Sequence, residues 1–179
     1  MKDLDCSNIK SISDYMNEKR EVVVTWSAFK SWDSRKDHPN REEIGVYCAI
    51  GRDNYGNERV YIGKAVGKGG FAQRMSLHDT NHRLFRNDEF LEKITQDRYI
   101  MYGTLSSKDI NLNEVTDKIS FIEDIEKRLI RYFSEEQSRW KLANDTKYED
   151  CSFNNTFTIV NDCQYQIMPK SKIVQNNIK

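Results

Sequence analysis

Three observations predict an α+β fold: two short apolar strands joined by a polar turn, a third strand after a helical segment, and a long amphipathic helix behind it. The first strand reads Ile44-Gly45-Val46-Tyr47-Cys48-Ala49-Ile50. Alternation puts Val46, Cys48 and Ile50 on one face and Gly45, Tyr47 and Ala49 on the other. In the second, Val60 and Ile62 supply an apolar face while Tyr61 and Gly63 point the opposite way. The stretch from Asp53 to Glu58 between them is rich in turn residues and suits a hairpin loop. Paired as a hairpin, the strands carry both phenols on a face otherwise nearly bare, which leaves room for a substrate backbone.

Residues 1–43 read as an N-terminal extension packed on the core, 44–150 as the core and 151–179 as a C-terminal extension. The first contains a predicted helix around Ile9 to Lys19 and the apolar run Val22-Val23-Val24, after which Thr25 caps a short predicted helix carrying Trp26, Phe29 and Trp32. Beyond the hairpin, Val66-Gly67-Lys68-Gly69-Gly70 lacks the spacing of a phosphate-binding loop and reads as a hinge or a lead into the next helix. Helices are predicted from Phe71 to about His78 and from Leu84 to Ile94, a strand over Tyr99 to Leu105, and the longest helix over Ile119 to Glu135. In that last helix Ile122, Ile125, Leu129 and Phe133 recur at core spacing. The apolar runs starting at Phe157 and Tyr165 are candidates for added strands.

The chain has 179 residues, 37% hydrophobic and 31% charged, which fits one globular domain with modest extensions. No apolar run is long enough to span a membrane and no signal peptide is evident, so a cytoplasmic protein is expected. Four scattered cysteines favour neither a disulfide framework nor a zinc site. The formal net charge is zero, yet from Lys64 to Arg86 five basic residues stand against one acid. Lys64, Lys68, Arg74, Arg83 and Arg86 therefore form a candidate phosphate-binding patch.

Arg74 and His78 lie four residues apart, on one helical face, where a guanidinium fork and an imidazole can address one phosphate. On the long helix Glu123 and Asp124 have basic partners four residues on, Lys127 and Arg128, but Glu126 has only Leu129 and Ile130. A carboxylate so placed needs a metal, a base or hydrogen-bond donors.

Gly45-Val46-Tyr47, Tyr61-Ile62-Gly63-Lys64-Ala65, the Arg74 and His78 pair, the Glu126 segment and the later Asn144, in this order, resemble the GIY-YIG nuclease superfamily over about residues 44 to 145. The resemblance implies a small three-stranded antiparallel sheet flanked by helices, with N- and C-terminal extensions. It also implies a metal-dependent endonuclease that hydrolyses DNA phosphodiester bonds by a tyrosine-assisted water attack. Glu126 would bind Mg2+, with Mn2+ able to substitute, and Tyr47 or Tyr61 would orient or deprotonate the water. His78 would accept a proton from a tyrosine, Arg74 and Lys64 would stabilise charge on the phosphate, and Asn144 would fix the end of the helix region near the site. A compact chain with short extensions most resembles the restriction-endonuclease branch, and both a homodimer and a monomeric nickase remain open. Two other classes stand beside this one: a nucleic-acid-binding module that does not cleave, and an interaction protein in which the tyrosines only pack.

Overall fold

A computed structural model of the chain describes residues 20–85, 88–112, 115–135, 139–145, 157–165, 167–168 and 171–173. Its elements run β1 (Glu21–Trp26), β2 (Lys30–Ser31), a 3-10 helix (Trp32–Asp37), β3 (Gly45–Arg52), β4 (Glu58–Ala65), α1 (Gly70–Phe85), α2 (Glu89–Lys93), β5 (Gln96–Ser106), α3 (Val115–Ser134), β6 (Lys141–Leu142), β7 (Thr158–Asp162) and β8 (Ser171–Ile173). The predicted helix around Ile9 to Lys19 lies outside the described residues.

All the strands belong to one eight-stranded sheet, ordered β6-β4-β3-β5-β1-β7-β8, with β2 paired to β5 beside that path. This corrects the expected three-stranded antiparallel sheet. The hairpin and β5 are mutually antiparallel, but β1 runs parallel to β7 and β4 runs parallel to β6, so the sheet is mixed. Strands outside 44–145 make most of the difference, and β6 adds a parallel pair within that range. β1 pairs with β5 along Val23 to Trp26, and β7 then pairs with β1, setting Val23 opposite Val160.

The predicted cap at Thr25 is also overturned. Val22, Val24 and Trp26 are buried in alternation, so Trp26 continues a strand, and its indole N–H donates to Asn161 Oδ1 at 2.9 Å. β-branched residues favour this pleated surface, and the period of two outweighs helical spacing among the aromatics. Trp32 does begin a helix, but a 3-10 turn started by Ser31. The predicted helix from Leu84 to Ile94 divides: Leu84 and Phe85 end α1, and α2 starts at Glu89 behind an Asp88 cap.

The two sheet faces carry different layers. Val46, Cys48, Val60 and Ile62 pack with Ile122, Ile125, Leu129 and Phe133 of α3 in one cluster. Tyr47, Ala49 and Tyr61 pack on the other face with Phe71 and Met75 of α1 and Phe90 and Leu91 of α2. That second face is therefore covered rather than bare: α1 and α2 lie over it, and the Tyr47 ring fills the space that Gly63 leaves.

The glycine loop leads into α1. Gly70 has φ of +52°, and a Cβ there would meet the Glu43 carbonyl oxygen at 2.3 Å, so only glycine fits. The first amides of α1 are taken up by protein: Phe71 N donates to Glu43 O at 3.0 Å and Ala72 N to Arg41 O at 2.6 Å. Among the described residues no helix is long and apolar enough to cross a membrane.

Candidate active site

Antiparallel register sets Tyr47 of β3 opposite Gly63 of β4. A Cβ on Gly63 would lie 2.3 Å from the Tyr47 ring and hydroxyl, so the glycine of the second triplet makes room for the tyrosine of the first. The Tyr47 hydroxyl lies 2.6 Å from His78 Nε2, and Arg74 Nε donates to the same hydroxyl at 3.2 Å. On the far side of the imidazole, His78 Nδ1 is 2.6 Å from Asp88 Oδ2. A carboxylate only accepts, so Nδ1 carries the ring proton and Nε2 accepts from the Tyr47 O–H.

Asp88 is the member that sequence reasoning missed. Its other oxygen accepts from Leu91 N at 3.0 Å, so one carboxylate caps α2 and holds His78 together. The signal was an Asp placed directly before Glu89-Phe90-Leu91, the pattern of a helix start. Tyr61 completes the cluster, its ring stacked 6.1 Å from that of Tyr47 and 5.8 Å from that of His78.

Burial dominates the electrostatics. It pushes the Tyr47 hydroxyl well above 10, with Tyr61 adding to the rise and Arg74 opposing it. Tyr61 is pushed up to about 12 by burial, against the charge of Arg74 and a hydrogen bond with Tyr47. The His78 imidazole is lowered by burial although Asp88 pulls the other way, so it stands neutral and ready to accept. Burial would raise the Asp88 carboxyl, but hydrogen bonding and charge from His78 hold it below its ordinary value.

The second half of the site lies on the other side of β4. Lys64 Nζ sits 3.0 Å from Glu126 Oε2 and 3.3 Å from Glu123 Oε1, held between carboxylates on successive turns of α3. Glu126 therefore has the partner its own helix could not supply, and Glu123 turns to Lys64. Burial raises the Glu126 carboxyl, while the Lys64 and Arg74 charges oppose the rise. Glu126 also raises Tyr47, which ties the two halves electrostatically. Asn144 belongs to no helix. Its side chain accepts from Ile62 N at 2.9 Å and donates to Ile62 O at 2.7 Å, fixing the β4 backbone between Tyr61 and Gly63.

Tyr47, Tyr61, Arg74 and His78 thus form one cluster, and Lys64 and Glu126 form a second that is linked to it by charge, with Asn144 bracing the strand that carries Tyr61 and Lys64. Lys68 and Arg83 are exposed and stand apart from the hydrogen-bonded cluster, and Arg86 lies outside the described residues.

No group of three or more His, Cys, Asp or Glu side chains suited to a metal ion occurs among the described residues. Mg2+ takes fewer protein ligands than that: one or two carboxylates suffice when water and substrate phosphate complete the shell. Glu123 and Glu126 already hold a cation between them in the form of the Lys64 ammonium, and their oxygen donors fit such an ion.

Compared with known protein families, curated proteins and solved structures, the chain matches none.

Proposed function

We propose that the protein is a metal-dependent endonuclease that hydrolyses DNA phosphodiester bonds, as the motif resemblance to GIY-YIG nucleases implies. The observation that carries this reading is the Tyr47 hydroxyl set between Arg74 Nε and His78 Nε2, with His78 oriented by Asp88. A phenol that only packs needs one hydrogen-bond partner. Here it has a proton acceptor on one side and a fixed cation on the other, as a proton-transfer site requires.

Water is the nucleophile in this mechanism. Tyr61, the slightly exposed phenol at 6% against 0% for Tyr47, meets the water, and its ring stacks 6.1 Å from that of Tyr47. As the water oxygen forms its bond to phosphorus, the bond from phosphorus to the leaving sugar oxygen breaks, the leaving oxygen takes a proton from solvent water, and the attacking water's proton passes to the Tyr61 oxygen. The Tyr61 proton moves to Tyr47 and the Tyr47 proton to His78 Nε2. The imidazolium so formed faces the Asp88 carboxylate, which stabilises it without taking the proton. Arg74 holds down negative charge on the phenol oxygens and, with Lys64, on the phosphate. Glu126, with Glu123 beside it, would hold Mg2+ or Mn2+, which when bound supplies electrophilic stabilisation of phosphate and leaving oxygen.

Plasmid nicking with Mg2+ or Mn2+ over several DNA substrates tests this. His78→Ala is expected to slow cleavage by about 10²–10⁴-fold, and Glu126→Ala and Tyr47→Phe to reduce it severely. Intact DNA in every case, or full activity in Glu126→Ala, sinks the proposal.

One observation favours a second reading, a module that binds nucleic acid without cleaving it. Lys64 already pairs with both Glu123 and Glu126, offsetting half of their charge. Binding that is strongly salt-dependent and indifferent to Mg2+, with no turnover, would select that reading. The pairing of chains in a homodimer and a cytoplasmic setting complete the proposal, the latter in keeping with the free thiols of Cys48 and Cys163.

A further inference from the structure

A recess of about 180 Å³ opens beside α1, outside the site described above, lined by Arg35, Lys36 and Arg41 together with Ser76 and Asp79. Three cations against one carboxylate leave it electropositive. Its frame is rigid. Arg35 NH1 donates to Trp32 O at 2.6 Å, its guanidinium lies 4.3 Å from the Trp32 ring centroid, and its other amino group pairs with Asp79. The Arg41 backbone is pinned from both sides, its N–H donating to His38 O at 3.2 Å and its carbonyl accepting from Ala72 N at 2.6 Å.

The outward donors are Lys36 and Arg41. The Lys36 side chain is exposed and forms no ion pair among the described residues. Arg41 NH1 donates to Lys36 O at 3.0 Å, which holds the two cations side by side, and its Nε pairs with Glu42, whose side chain is 69% exposed against 49% for Arg41. Such a pair is worth little in water and yields readily to a dianionic or bridging phosphate. The Ser76 hydroxyl adds a neutral donor between them.

Size sets the ligand. Pockets for whole small molecules run to about 300–1,000 Å³, so this recess suits one phosphate group with water and not a nucleoside. Position sets the source. The Trp32 ring that carries Arg35 lies 6.5 Å from the His78 ring, so the recess stands one aromatic ring away from the proposed cleavage site. We infer that this recess binds a backbone phosphate of the DNA strand near the one to be cut, with Lys36 and Arg41 as its contacting cations. The inference rests on the nuclease reading for its choice of DNA, and fixes the strand's path across α1 on the Arg35 side.

The test uses full-length protein carrying Glu126→Ala, so that binding is read without cleavage. Duplex DNA affinity is measured over a range of salt for this protein and for versions adding Lys36→Ala, Arg41→Ala or both. Each added change is expected to weaken binding equally for all sequences and to lower the salt slope by about one. Lys36→Ala guards against a folding artefact, since that side chain is exposed and unpaired. Unchanged affinity and slope in both overturn the inference while leaving cleavage by the native protein untouched. Inorganic phosphate, titrated by NMR, is the second arm. Phosphate binding lost in the variants without any change in DNA affinity assigns the recess to a free phosphate and overturns the DNA assignment. If the native protein cuts nothing yet the variants still weaken DNA binding, the nuclease reading falls and the recess stands. A protein that holds no DNA at all overturns the assignment outright.

Discussion

The two faces of the sheet are built from alternate residues of the same strands, yet they hold different chemistry. Under α3 the strands present Val46, Cys48, Val60 and Ile62, and the helix answers with Ile122, Ile125 and Leu129. Buried charge on that side belongs to α3: Asp124 and Glu126 are buried, and Arg128 donates to Phe157 O at 3.1 Å and covers the Phe157 ring at 3.9 Å, tying the chain before β7 to α3. Under α1 and α2 the strands present Tyr47 and Tyr61, and the helices answer with Arg74, His78 and the capping Asp88. A buried carboxylate such as Asp88 costs desolvation that an aliphatic side chain would not. The face under α3 thus carries most of the aliphatic core together with the Lys64 and Glu126 pair, while the face under α1 and α2 carries the buried phenol, imidazole and carboxylate chain.

The largest effect expected is on the aliphatic face. Leu129 is 1% exposed at the centre of the α3 cluster, and Leu129→Ala should cost about 2–5 kcal/mol through lost transfer energy and the cavity left behind. Denaturant unfolding measures it as a lower midpoint. His78 and Tyr47 resonances should stay in place in the folded protein, because the sheet separates them from the cavity. A loss of well under 1 kcal/mol would remove the basis for treating this face as the source of stability.

A smaller effect, of about 1–3 kcal/mol, is expected from Gly63→Ala on the aromatic face. The added methyl would meet the Tyr47 ring and hydroxyl at 2.3 Å, and both belong to a fully buried side chain with no open direction to move. Here the chemistry should suffer beyond the stability loss, because displacing the phenol breaks its contact with His78. NMR of the His78 ring against the unfolding midpoint separates the two. A variant that unfolds early but keeps the Tyr47 to His78 hydrogen bond would show that the faces differ less than argued.

What the sequence made legible was local. Period-two alternation sorted Val46, Cys48 and Ile50 from Tyr47 and Ala49, and spacing of four put Arg74 and His78 on one side of a helix. Partners from distant segments were not legible. Nothing in Val22-Val23-Val24 says that it will lie parallel to β7 some 135 residues on from Trp26 to Asn161, since strand pairing is decided by global packing. The partner of Glu126 escaped for the same reason: only neighbours on its own helix can be read from spacing, and Lys64 arrives from β4. Asp88 carried a helix-start signal, but its turn toward His78 depends on how α2 packs against α1.

The smallest effect separates the faces by pH. Burial holds His78 below its ordinary value of 6.5, with Asp88 and Asp79 pulling up and Arg74 pushing down. The unfolded chain therefore takes up a proton first as pH falls, so the neutral imidazole's contribution is fully present above about 6.5 and drains away below it. Three other groups act in the same acid range and must be set apart. His38 is also lowered, by burial and then by Lys30, and adds a loss of the same sign. Glu126 and Glu89 are raised above 4.5, by burial first in each case, and run the opposite way, gaining as they protonate. The difference between native protein and His78→Gln isolates the relay: unfolding measured from pH 7 to pH 5 should fall less steeply in the variant, with His38 keeping part of the slope. Ring titrations followed separately by NMR assign the remainder. Equal slopes in the two proteins would mean that His78 is no more strained toward neutrality than an exposed histidine, and the aromatic face would lose its claim to a poised proton acceptor.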